Sequence, residues 1–156
     1  MLKAVAPLLG FILHTALALA EEEFDFDSTL ARAEQGDLQA IHGLCARYHF
    51  GVDLPEDWQQ ALIWCERSAK AGANSGQTLY AEIYYFGLGV ERDYETALFW
   101  YRKAAEQGHP HATYMLYVIY AEGRGVPANP QLATQYLQQA FFLGSKQAIK
   151  KYNQID

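Results

Sequence analysis

Few residues in this chain combine a reactive type with a spacing that chemistry can use. Cys45 and Cys65 are the only two thiols. They do not form a C-x-x-C pair, so a redox-active role is not expected. Two are also too few for a four-cysteine zinc module. Histidines 42, 49, 109 and 111 raise the question of a metal. His42 and His49 are seven apart, which sets their Cα atoms ~10 Å apart along a helix axis. Zinc ligands must each come within about 2.1 Å of the ion, so this pair is badly placed to share one. His109 and His111 flank Pro110 at a helix start, where polar residues are expected anyway. The loops Gly87-Leu88-Gly89-Val90 and Gly123-Arg124-Gly125-Val126 have a G-x-G outline. They follow helical rather than strand patterns and lack the third glycine and the lysine that would read a phosphate. There is no G-x-S-x-G elbow and no H-E-x-x-H. The sequence therefore leads to no catalytic residue, no metal and no cofactor.

Composition narrows the class further. The chain has 156 residues, 51% hydrophobic, 14% aromatic and 19% charged. One domain is the default at this length. Enough apolar surface is present to offset the entropy of ordering, so disorder is excluded. A formal net charge of −6 argues against a general nucleic-acid or anionic-membrane binder.

The first twenty residues read as an address. Lys3 is the only charge before Glu21, and an apolar stretch runs from Leu8 to Ala20, ending in Ala18-Leu19-Ala20. A basic start, an apolar middle and an A-x-A end make a secretory signal peptide, with cleavage expected after Ala20. An uncut anchor is the rival. The 17 residues between Lys3 and Glu21 are at the lower limit for spanning a bilayer of ~30 Å, and Pro7, Gly10 and His14 weaken the stretch further. Residues 21–28, opening with Glu21-Glu22-Glu23, read as an acidic tail. The expected mature protein has no membrane segment and resides outside the cytoplasm.

What positions the remaining side chains is an internal period. Gly36, Gly72, Gly108 and Gly144 stand 36 residues apart. In the same register come Ala40, Gly76, Ala112 and Ala148; Tyr48, Tyr84 and Tyr120; Gly51, Gly87 and Gly123; Asp57, Asp93 and Asn129; Ala61, Ala97 and Ala133; Trp64, Trp100 and Tyr136. Each unit reads as two helices. In the middle unit the first covers about 75–86, with Leu79, Tyr80, Ile83 and Tyr84 on one face. Glycines break it, Asp93 caps the second helix over about 94–107, and Gly108 ends that helix. Small columns let paired helices approach, and aromatic columns fill the space between pairs. One pair cannot bury its apolar face alone, so units must stack.

The stretch Gly87-Leu88-Gly89-Val90, with Ala97, Trp100-Tyr101 and Lys103-Ala104-Ala105-Glu106-Gln107-Gly108, resembles the Sel-one-like repeat family. The third unit is similar through Tyr114, Leu116, Ile119-Tyr120 and Gly123-Arg124-Gly125-Val126. The first departs, with Asp53 where the second loop glycine belongs. The resemblance implies an all-α fold, a right-handed α/α solenoid of three helix-turn-helix repeats with half-repeat caps. The solenoid is expected over 29–156, with repeats at 36–71, 72–107 and 108–143 and a capping helix at 144–156. A tight loop between antiparallel helices brings Cys45 and Cys65 nearly level, and an oxidising compartment should join them.

In tetratricopeptide-like stacks the first helix of each pair lines the concave face. That phase selects Gln39, His42, Ala46, His49 and Phe50 in the first unit. It selects Ser75, Thr78, Glu82, Tyr85 and Phe86 in the second, and His111, Tyr114, Val118, Ala121 and Glu122 in the third. Rigid aromatics with polar neighbours suit a protein or peptide ligand. The alternative is that Phe50, Tyr85 and Phe86 only cover the junction with the following helix. The leading expectation is non-catalytic protein binding in a bacterial periplasm, as an adaptor, assembly or regulatory factor within an envelope complex. A second is an immunity protein occluding a toxic effector. A hydrolase acting on cell-wall or β-lactam substrates is the weakest.

Overall fold

The computed structural model describes residues 24–154. The expected signal peptide 1–20, its cleavage point and residues 21–23 lie outside the described residues. Eight helices and no strand occur among the described residues. They are α1 (Phe26–Glu34), α2 (Leu38–Phe50), α3 (Trp58–Lys70), α4 (Asn74–Phe86), α5 (Tyr94–Glu106), α6 (Pro110–Glu122), α7 (Pro130–Phe142) and α8 (Lys146–Tyr152). Three hairpins, α2–α3, α4–α5 and α6–α7, follow the glycine period, with α1 before them and α8 after. α1 starts at Phe26, so the segment 21–28 read as a tail is helical from that residue on.

Local chemistry sets the ends of these helices. Asp57 accepts from the amides of Gln59 and Gln60, and Asp93 from those of Glu95 and Thr96, at 3.0 and 3.1 Å in each case. Asn129 does the same for Leu132. These bonds satisfy amides that the first helical turn leaves free. Pro110 and Pro130 open α6 and α7, where no amide partner is needed.

Small residues bring the helices together. Ala40, Ala61, Ala97, Ala112 and Ala133 are all buried. At Gly76 α4 lies close against α3: a Cβ there would clash with the Ser68 side chain. Aromatic columns expected between successive pairs also join the two helices within a pair. Tyr80 meets Trp100 edge-on with ring centroids 5.5 Å apart, and Tyr120 stacks on Tyr136 at 5.6 Å. One apolar cluster spans α1 to α4 and another spans α4 to α7, and Tyr84 and Trp100 pack against both.

Cys45 of α2 and Cys65 of α3 form a disulfide, with Cα atoms 4.7 Å apart. The loop departure is also accounted for. Asp53 has φ 61°, in line with 67° at Gly89 and 69° at Gly125. Aspartate is among the few L-residues that adopt this left-handed backbone, and its carboxylate reaches within 3.3 Å of the Arg47 guanidinium. Among the described residues no helix is long and apolar enough to cross a membrane.

Candidate protein-binding groove

The first helices of the three hairpins, α2, α4 and α6, contribute to one groove of about 250 Å³. His42, Ala46 and Phe50 come from α2, and Ser75, Thr78, Leu79 and Glu82 from α4. His111 belongs to α6, and His109 immediately precedes it. Residues 42, 46 and 50 recur at the four-residue spacing that aligns side chains on one helix face, as do 75, 78, 79 and 82 at three and four.

Glu82 is the charged centre of this groove. Its side chain is only 13% exposed. Oε2 lies 3.1 Å from His49 Nε2 and Oε1 lies 2.8 Å from His111 Nε2. Burial alone would push this carboxyl up. The hydrogen bonds from His111 and His49 outweigh it and hold the group at about 2. The chain of contacts continues, since Gln147 of α8 approaches His111 Nδ1 at 3.1 Å. Side chains from four successive first helices are thus linked through Glu82.

The other two imidazoles are held differently. His109 caps α6, its Nδ1 accepting from the Ala112 amide at 3.3 Å. A ring nitrogen that accepts carries no proton, so the proton of His109 is on Nε2. His42 Nδ1 lies 3.5 Å from the Ser68 hydroxyl. Burial lowers the pKa of both rings and favours their uncharged forms. Thr78 is buried, and its hydroxyl donates back to the Asn74 carbonyl at 2.8 Å, so only its methyl face is free. Phe50, 60% exposed, forms an apolar rim.

Of the fifteen side chains singled out from the sequence, His42, Ala46, Phe50, Ser75, Thr78, Glu82 and His111 line the groove. His49 stands behind it, 6% exposed, its Nε2 on Glu82 and its ring edge-on to Phe50 and Trp58. Tyr85 is not on this surface. It is 3% exposed, and its ring packs on Tyr94 at 5.4 Å and Tyr101 at 6.1 Å. The junction alternative therefore describes Tyr85. Its column explains why: His49 and Tyr85 occupy equivalent positions, and each meets the first residue of the next helix, Trp58 or Tyr94. Phe86 is exposed but outside the groove lining. Tyr114 is half-buried against Tyr117, and Val118 packs into the core of the second and third hairpins. The groove also takes in Leu79 and His109, which were not among the fifteen. Leu79 reads as core from its helical face. His109 reads as an ordinary polar helix start, and its capping position one residue before Pro110 was the available signal.

A family model described as Sel1 repeat matches residues 38–72, 74–109 and 110–144. Among solved structures, a protective antigen of uropathogenic Escherichia coli displaying an SLR fold is 32% identical, with a TM-score of 0.74 over 78% of this chain. This chain spans only 26% of that protein. A Sel1 repeat protein from Oxalobacter formigenes is 31% identical, with a TM-score of 0.71 over 83% of this chain and 98% of its own. Helicobacter pylori cysteine rich protein B shares the fold at 20% identity, with a TM-score of 0.64 over 81% and 96% of the two chains. No curated protein matches the chain.

Proposed function

The chain belongs to the Sel1 repeat family, and from that premise we propose that it is an exported binding module whose groove receives a segment of a partner protein. Sel1 repeat proteins are protein-interaction modules, typically without catalysis. The observation that carries the reading is the groove itself. One wall is apolar (Ala46, Leu79 and the exposed Phe50), and its floor holds a carboxylate fixed by two imidazoles. An apolar wall supplies contact area, and a fixed polar group supplies register.

Export to an oxidising space such as a bacterial periplasm is supported by the Cys45–Cys65 bond. The sequence of residues 1–20 supports it independently. An adaptor or regulatory role within an envelope complex fits this combination.

Capture from the producing cell's envelope tests the reading. Wild-type protein should retain a partner that Phe50→Ala loses and that Phe142→Ala, a change at the exposed far end of α7, retains. Equal recovery by all three would refute the groove as the binding surface.

A further inference from the structure

Among the described residues, Glu82 is the only carboxylate lining the groove, and no lysine or arginine lines it. Its charge is hydrogen-bonded on both oxygens. The Gln147 side-chain nitrogen has only donors. It therefore donates to His111 Nδ1 at 3.1 Å, and the ring's proton sits on Nε2, which donates to Glu82. His49 offers Nε2 to the other oxygen, while its Nδ1 is buried with no partner among the described residues. Both imidazoles donate through Nε2, one to each oxygen, and Glu82 keeps its negative charge.

A carboxylate has about four acceptor sites, and one N–H on each oxygen leaves room for another donor. The remaining groove imidazoles, His42 and His109, supply no positive charge to compete. The whole chain carries a net charge of −6, which favours approach of a basic partner.

We propose that the groove selects its partner by one basic side chain, an arginine or lysine presented on a protein segment. Its cationic head meets Glu82, and its aliphatic stem lies along Leu79, Ala46 and Phe50. Long basic side chains divide in this way between an apolar stem and a charged tip. The proposal rests on the groove reading above and adds the class of residue it recognises.

The test uses the protein in the form its cell accumulates, uniformly labelled with ¹⁵N, and four capped peptides of the form Ac-Gly-X-Gly-NH2. X is arginine, its neutral isostere citrulline, glutamate or phenylalanine. The arginine peptide should saturably shift amides around His42, Leu79, Glu82 and His111. Citrulline should bind at least tenfold more weakly, and glutamate should leave these amides unmoved. Equal binding of arginine and citrulline, or a groove that takes only glutamate or phenylalanine, overturns the cation preference while leaving a peptide groove in place. Shifts confined to other surfaces, or no groove shifts with any of the four, overturn both readings.

Discussion

Glu82 in α4 accepts a hydrogen bond from His111 in α6 at 2.8 Å, bridging 29 residues of sequence. With His49 on its other oxygen, this carboxylate ties three hairpins together. Removing it leaves the buried His49 donor and the partly exposed His111 donor without an acceptor. Glu82→Ala is expected to lower unfolding free energy by about 3 kcal/mol. A double-mutant cycle with His111→Ala should return a coupling of roughly 1 kcal/mol or more, read from urea midpoints. Additive effects of the two changes would show that the pair is not an energetic link.

Acid should weaken the protein in two stages. His42 and His109 have lowered pKa values in the folded chain, so the unfolded chain takes up their protons first. Their contribution is complete above the ordinary value of 6.5 and is lost as pH falls below it. Glu82 has a folded value of about 2 against an ordinary 4.5, so its contribution is complete above 4.5 and declines between those limits. Thermal midpoints at constant ionic strength should fall modestly from pH 7 to 5 and steeply below pH 4.5. Substituting Glu82 should flatten the lower limb only.

The disulfide closes a stretch with a sequence separation of 20 within the first hairpin. Constraining the unfolded chain over such a loop stabilises by about 3 kcal/mol. The Cys45→Ala/Cys65→Ala protein should unfold at correspondingly lower urea, and intact-mass measurement of the native protein should show a gain of two hydrogens only after reduction. Two free thiols in the native exported protein would contradict the bond.

Tyr85 and Phe50 should separate stability from binding. Tyr85 is packed on Tyr94 and Tyr101, and Tyr85→Ala is expected to cost about 3–5 kcal/mol of stability. Phe50 is largely exposed, so Phe50→Ala should leave unfolding within about 0.5 kcal/mol of wild type. If Phe50 is buried in the complex, the same change should weaken partner affinity by about 2 kcal/mol. Circular dichroism with titration of the captured partner distinguishes the two effects.

The repeat made the fold legible. A glycine every 36 residues marks where second helices end, Asp57, Asp93 and Asn129 mark where they begin, and the small columns mark where helices touch. The disulfide was legible because a tight hairpin makes residues 45 and 65 face each other. The groove was only partly readable. Helical phase carries His42, Phe50, Glu82 and His111 to one surface. It cannot tell which aromatic turns back under the next helix, because that depends on the residue waiting there. Tyr85 meets Tyr94, whereas its neighbour Phe86 has no such cover. The Glu82 linkage escapes any single-unit reading, since His49, Glu82, His111 and Gln147 come from four units and not all from one column.

The groove is tested most directly by placing a photo-reactive benzoylphenylalanine at one position at a time and identifying what each captures in the producing cell. At Phe50 the cross-linker should capture a single partner. At Phe99, exposed on α5 among the second helices, it should not. Capture from position 99 with none from position 50 would contradict the account.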